Sequence, residues 1–154
     1  MAMIPETMHD ILDVTRQLHR ELGQHLSQSA DDNASERSQM LLNYLAEHEE
    51  RLARTLETFQ KKSDLGSLDT WFYEYTDRHR VIHLDPAETP FANMDTSEIE
   101  QEMGQFHDQL IDLYTHLHER AENETAKEVL AQLLELETTK AKLLSFESGR
   151  SQEF

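Results

Sequence analysis

Two His–Glu pairs with identical spacing are the features of this sequence most capable of chemistry. His19 is followed thirty residues later by Glu49, and His107 is followed thirty residues later by Glu137. The second pair lies 88 residues after the first. Neutral imidazole and carboxylate groups bind Zn, Fe, Mn and related divalent ions. The same groups form ion pairs when the imidazole is protonated, so the spacing frames a choice between a metal site and a charge network.

The apolar residues around the two pairs match at the same offset. The matched positions are Leu18 with Phe106, Leu22 with Leu110, Leu26 with Tyr114, Leu45 with Leu133, Ala53 with Ala141 and Leu56 with Leu144. This agreement indicates one helical hairpin used twice. Its polar side chains are then directed at a shared apolar core.

Apolar residues recurring at three- and four-residue steps predict four amphipathic helices, over about 7–29, 35–61, 97–121 and 126–147. Asn33 with Glu36, and Asp95 with Glu98, resemble capping boxes at the starts of the second and third helices. Gly149 resembles a stop for the fourth helix. Only four Gly and three Pro occur in 154 residues, which disfavours a turn-rich β fold.

The connections between these helices predict their arrangement. Short connections join the first helix to the second and the third to the fourth, so each pair is expected to be antiparallel. Residues 62–96 are long enough to cross the bundle from end to end, and we expect a short helix within residues 67–78. The prediction is an all-α single domain, residues 1–154, of two hairpins joined by a long crossover.

The segment Leu45-Ala-Glu-His-Glu-Glu-Arg-Leu-Ala53 resembles the second-helix motif of the ferritin-like superfamily, closest to its rubrerythrin-type bundles. The stretch from His107 to Tyr114, followed by Leu133 to Leu144, resembles the second half of that pattern. The resemblance implies a ferritin-like four-helix bundle. It also implies a di-iron ligand pattern, with a Glu on the first helix, a Glu-x-x-His on the second, and both again on the third and fourth.

The motif helices match this pattern only in part. Glu49 and Glu137 stand at the motif glutamates, whereas Leu52 and Lys140 stand where the partner histidines are expected. A di-iron pair needs several carboxylates to offset two dications held close together. The resemblance therefore implies a degenerate di-iron motif.

The first and third helices also differ from the pattern. His19 and His107 fall where the family has lone glutamates, and two His with two Glu suit one divalent cation better than two. Lys140 argues against even that, because a protonated amine cannot ligate and lies one helical turn from Glu137. In the competing interpretation, protonated His19, His107 and Lys140 neutralise Glu49 and Glu137 as a buried ion-pair network.

Several alternatives stay open at this stage. A shift of register would turn His48 inward instead of Glu49, and nine His in the chain make a chance alignment conceivable. His79 and His83 could form a surface zinc site on one helix face, or be exposed side chains of the crossover. The aromatic cluster Trp71–Tyr75 could anchor the crossover on the bundle or form a dimer interface.

Composition excludes other classes of function. The chain has 14 basic and 31 acidic residues and a net charge of −17, so it should repel nucleic acid and anionic membranes. It has no Cys, which excludes disulfides and thiolate sites. No apolar run approaches a membrane span, and the N-terminal ten residues do not resemble a secretory signal, so we expect a cytoplasmic protein.

We therefore expect a ferritin-like protein of unassigned activity that has lost its di-iron centre, carries no cofactor and forms a homodimer. One alternative is a metal-binding protein or metal-dependent oxidoreductase. It would hold one Fe, Mn or Zn ion through His19, Glu49, His107 and Glu137. Another alternative is an interaction module that dimerises through the aromatic crossover.

Overall fold

The computed structural model describes residues 8–62, 88–121 and 124–152, with side chains described up to residue 138 except that of residue 120. These residues form four long α-helices: α1 (Met8–Asp32), α2 (Glu36–Lys62), α3 (Thr96–Arg120) and α4 (Glu124–Gln152). A short 3₁₀ helix, Phe91–Asn93, precedes α3. The all-α bundle of four long helices predicted from the sequence is confirmed.

The predicted apolar stripes form the interior of this bundle. On α1 the buried positions recur every three or four residues, as one face of a helix requires. They include Ile11, Leu12, Leu18, Leu22 and Leu26. The apolar residues of α2, α3 and α4 join the same cluster, which includes Leu42, Leu45, Leu56, Ile99, Leu110, Leu117, Leu130 and Leu133. The hydrophobic face of every long helix is thus turned toward one core.

Gly23 lies where α1 packs tightly against α2. A Cβ atom at this position would lie 3.2 Å from Cγ of Glu50 and 3.3 Å from the backbone oxygen of Ala46. Both distances are shorter than ordinary van der Waals contacts, so a side chain at this position would require its neighbours to shift by a few tenths of an ångström. This contact lies one turn along α1 from His19 and opposite Glu49.

The turn between α1 and α2 corrects one predicted cap. α2 begins at Glu36, so the residue before it is Ser35, whose hydroxyl accepts a hydrogen bond from the Ser38 amide at 3.3 Å. The Asn33–Glu36 capping box is therefore wrong, because Asn33 lies two residues too early. Its side-chain oxygen instead accepts from the Ser35 amide at 2.9 Å.

The other two predicted helix ends had different outcomes. The capping box of α3 is confirmed: the Asp95 carboxylate accepts from the Glu98 amide at 2.8 Å, and the Asp95 amide donates to the Glu98 side chain at 3.2 Å. The predicted stop at Gly149 is wrong, because α4 continues to Gln152. Glycine inside a helix costs only about 1 kcal/mol relative to alanine, which neighbouring residues can offset.

The predicted crossover, residues 62–96, is described only at its ends. Its predicted short helix, residues 67–78, lies outside the described residues. Within the described ranges, no helix combines the length and apolar character that crossing a bilayer requires.

Candidate functional site

Among the described residues, the bundle interior contains one cluster of charged and imidazole side chains, to which each long helix contributes one residue. The members are His19 from α1, Glu49 from α2, His107 from α3 and Glu137 from α4, here called the quartet. Each is at most 2% exposed. The structure thus brings together the four residues singled out by the 88-residue repeat, while their assignment as metal ligands stays a prediction.

The quartet is a closed ring of hydrogen-bonded pairs. His19 contacts Glu49 through Nδ1 and Glu137 through Nε2, the second at 2.7 Å from Oε1. His107 contacts Glu49 through Nε2 at 2.8 Å from Oε1, and Glu137 through Nδ1 at 3.2 Å from Oε2. Each ring nitrogen therefore faces a different carboxylate oxygen. Each imidazole bonds one glutamate of its own hairpin and one of the other hairpin.

With both carboxylates ionised, this pairing sets the charges of the quartet. An ionised carboxylate only accepts hydrogen bonds, so each nitrogen that faces one must donate an N–H. An imidazole that donates from both nitrogens is an imidazolium cation. His19 and His107 then supply two positive charges, which balance the two negative charges of Glu49 and Glu137. The quartet is neutral as a unit, which is the condition under which buried charges are tolerated.

The electrostatics of the site agree with this charge assignment. Burial alone would lower the pKa of His19, but the charges of Glu137 and Glu49 outweigh it and raise the pKa to about 10. Burial is likewise outweighed at His107, whose pKa rises to about 9 beside the same two carboxylates. Burial would raise the pKa of Glu49, yet the two imidazolium charges lower it to about 2. They also lower the pKa of Glu137.

Apolar side chains close off the quartet from water. Leu52, at the position where the resemblance predicts a histidine, is 1% exposed. The ring of Phe106 lies 6.1 Å from each of the two imidazoles, measured between ring centroids. The imidazoles themselves are 5.8 Å apart. In such surroundings the hydrogen bonds of the quartet are stronger than in water, and an unpaired charge there would destabilise the fold more.

Two buried hydroxyl groups lie beside the ring. Burial, with a contribution from the negative charge of Glu137, raises the pKa of Tyr114 well above its usual range, and a weak contact with Thr15 opposes the shift. The Tyr114 hydroxyl makes no full hydrogen bond to the described residues. Thr15 donates to the Ile11 carbonyl at 2.9 Å. Thr15 was not among the predicted site residues, although a polar residue one helical turn before His19 on an apolar face is a usable signal.

The remaining sequence candidates lie elsewhere. His48 is half-buried and its ring contacts that of Tyr44, with centroids 4.5 Å apart. The register that points Glu49 into the core is therefore the one adopted, and the alternative with His48 inward is wrong. The Lys140 side chain lies outside the described residues. The same is true of His79, His83 and the aromatic cluster Trp71–Tyr75, so the surface zinc site and the dimer contact stay predictions.

The distances within the quartet bear on whether a metal ion fits. A tetrahedral ion with bonds of about 2.1 Å holds its ligand atoms about 3.4 Å apart. The nitrogen–oxygen contacts of 2.7 and 2.8 Å are shorter than that, and the contact of 3.2 Å between His107 and Glu137 is only slightly shorter. Among the described residues, no group of three or more His, Asp or Glu side chains has an arrangement that could hold a metal ion. The contacts of the quartet are therefore of hydrogen-bond length, and the binding of a metal ion by these residues stays a prediction.

Comparison with known proteins identifies the fold. No protein-family model matches the chain, and no curated protein matches it in sequence. The chain is similar to a crystal structure from Thermotoga maritima that is provisionally described as a ferritin-like diiron-carboxylate protein. The match has a TM-score of 0.62 at 17% sequence identity and covers 97% of each chain. The chain therefore has the ferritin-like fold. An identity this low shows the fold alone and carries no activity with it.

Proposed function

We propose that this chain is a non-catalytic ferritin-like protein in which the quartet replaces the di-iron centre. The observation that carries the proposal is the one-to-one pairing of four ring nitrogens with four carboxylate oxygens. The site is an ion-pair network that joins the two hairpins. Its role is to hold the four helices in one arrangement without a bound metal.

The residues present do not fit a di-iron centre. Such a centre in this fold takes a Glu from each of two helices and a Glu-x-x-His from each of the other two. The quartet supplies two carboxylates, and buried Leu52 has no ligand atom. Two dications held a few ångströms apart would keep a net positive charge in an apolar interior, which carries a large desolvation cost.

Protonation of the imidazoles also opposes metal binding. A metal must displace the proton from the nitrogen that it binds. The pKa values of His19 and His107 are raised to about 10 and about 9, so both protons are held firmly at neutral pH. Removing one proton from each imidazole would also leave each ring with a single N–H, so two of the four carboxylate oxygens would lose their hydrogen-bond donor.

Metal analysis tests the proposal. The untagged protein would be purified without chelator, reconstituted separately with Fe, Mn and Zn, and assayed for bound metal beside a His19→Ala/His107→Ala variant. We expect no stoichiometric metal in the parent. About one ion per chain, lost in the variant, would refute the metal-free proposal.

A second candidate function is binding of one divalent cation by the same residues. The observation that favours it is the convergence of two imidazoles and two carboxylates from four helices in one buried cluster. Such a set matches the ligand preferences of Zn, Fe and Mn. This candidate requires the nitrogen–oxygen pairs to separate on binding. A large shift of the thermal midpoint with one ion, and none with Mg²⁺, would support it over the metal-free proposal.

A further inference from the structure

A second polar cluster lies at the end of the bundle, away from the quartet. Residues 89–94, here called the strap, lead into α3 and pack on the C-terminal part of α1. Phe91 is the apolar anchor of the strap and is 2% exposed. Its ring contacts that of His25, with centroids 5.6 Å apart. The strap thus covers this end of the core with a single buried side chain.

Three backbone carbonyls of the strap accept hydrogen bonds from two side chains on the α1 side. His25 donates from Nε2 to the Thr89 oxygen at 2.6 Å. The side-chain amide of Asn33 donates to the oxygens of both Phe91 and Met94 at 3.1 Å. The hydrogen bond from Asn33 to the Phe91 carbonyl is buried, so this carbonyl would carry a desolvation cost if it lost its donor.

The strap has little structure of its own to hold it in place. Its internal backbone hydrogen bonds are short-range, such as Asn93 to Pro90 at 3.1 Å and Met94 to Phe91 at 3.2 Å. Segments with few such bonds and few apolar anchors open locally without global unfolding. Asn33 lies fourteen residues beyond His19, which is about 21 Å along a helix with a rise of 1.5 Å per residue. Loss of the hydrogen bonds from Asn33 to the strap should therefore leave the quartet undisturbed.

We propose that Asn33 and His25 form a latch for the strap, and that the strap opens as a local unit while the quartet stays closed. The side-chain amide of Asn33 is the main element of the latch, because its nitrogen donates to two strap carbonyls. Its oxygen also accepts a hydrogen bond from the Ser35 amide. His25 holds the other end through Thr89 and Phe91. The latch is independent of the proposed function, because none of its residues belongs to the quartet.

Amide hydrogen exchange of the full-length protein tests the latch. In Asn33→Asp the side chain keeps an acceptor for Ser35 but loses the donor to the strap. We expect the amides of Asn93 and Met94 to exchange at least tenfold faster, with those of His19 and His107 unchanged. His25→Phe keeps a ring against Phe91 and removes the Nε2 donor, and it should accelerate the same two amides.

The control is Asn43→Asp, the same substitution at an exposed position of α2, which should leave every rate unchanged. Equal acceleration at the quartet helices, or no acceleration in the strap, would overturn the latch. So would the same strap response in the control. If Asn33→Asp fails to fold, the His25→Phe result decides by the same criteria.

Discussion

The two hairpins of this bundle supply the same polar residues from different surroundings. α1 and α2 provide His19 and Glu49, and α3 and α4 provide His107 and Glu137, with a thirty-residue spacing in both. The bonding is also equivalent, because every imidazole contacts both carboxylates. What the halves share is therefore the position of each charge along its helix.

The neighbours of those charges differ between the halves. Gly23 lets α1 approach α2 closely, whereas Ile111 stands at the matching position of the second hairpin. Leu26 of the first hairpin corresponds to Tyr114 of the second, whose hydroxyl is buried near Glu137. The quartet therefore depends on four positions and their charges. It tolerates different packing on its two sides.

The largest expected effect comes from removing one negative charge from the ring. Glu49→Gln and Glu137→Gln should each lower the free energy of unfolding by about 3–5 kcal/mol, because each leaves a buried imidazolium uncompensated. Urea titration measures the loss. Matched controls are Glu50→Gln and Glu135→Gln, which alter exposed side chains and should change stability by less than about 0.5 kcal/mol. A loss confined to one hairpin would break the equivalence of the halves.

The dependence of stability on pH should follow the charges of the ring. The folded pKa values of His19 and His107, about 10 and about 9, lie above the ordinary value of 6.5. Their stabilisation is therefore complete below about pH 6.5 and is lost as the pH rises through 9 and 10. The slope is at most about 1.4 kcal/mol per pH unit for each imidazole.

The carboxylates set the acid limit. The pKa of Glu49 is lowered from 4.5 to about 2, and that of Glu137 is also lowered. Their stabilisation is present above about pH 4.5 and is lost as the pH falls toward 2. Urea titrations across this range should show highest stability between about pH 4.5 and 6.5. Stability that keeps rising from pH 7 to pH 9 would contradict the imidazolium assignment.

Glycine substitutions test the difference in packing between the hairpins. Gly23→Ala should lose about 1–3 kcal/mol of stability, because the new methyl group meets the backbone oxygen of Ala46, and should regain about 1 kcal/mol through helix propensity. Gly104→Ala is the matched change on α3, where a Cβ would meet no atom within 4 Å. It should stabilise by about 0.5–1 kcal/mol through helix propensity. Thermal unfolding of both variants measures the difference, and equal effects would remove the proposed close approach.

The smallest expected effect is that of Tyr114→Phe. The hydroxyl is fully buried beside Thr15 without a full hydrogen bond, so its removal should change the free energy of unfolding by no more than about 1 kcal/mol. Far-UV circular dichroism during urea unfolding provides the measurement. A loss of several kcal/mol would mean that this hydroxyl is an integral part of the ring and that the two halves are not equivalent.

Much of the fold and the convergence of the quartet could be predicted from the sequence. The three- and four-residue spacing of the apolar residues predicts which face of each helix is buried. Together with the 88-residue repeat, it places His19 and Glu49 on buried faces. The closure of the ring was not predictable. Which nitrogen meets which oxygen depends on the rotation and height of one hairpin against the other, and spacing along a chain does not encode these.

Asn33 shows a different limit of prediction. Its spacing to Glu36 matches a capping box, but the sequence does not fix the residue at which the helix begins. The helix begins at Glu36, so the N-cap residue is Ser35. The actual partners of the Asn33 amide are carbonyls of Phe91 and Met94, about sixty residues later in the chain. A contact between a side chain and a distant backbone leaves no periodic signal, because the backbone is the same at every residue.

The protonation state of the two buried imidazoles is the most direct test of whether the quartet is a metal-free ion-pair network. Nitrogen-15 NMR of the histidine rings would be recorded at pH 7, without metal and with excess Zn, Fe(II) or Mn(II). We predict that both nitrogens of His19 and of His107 carry protons and that the diamagnetic Zn sample leaves their shifts unchanged. A non-protonated ring nitrogen in either residue, or a zinc-induced shift at these rings, would contradict the metal-free quartet.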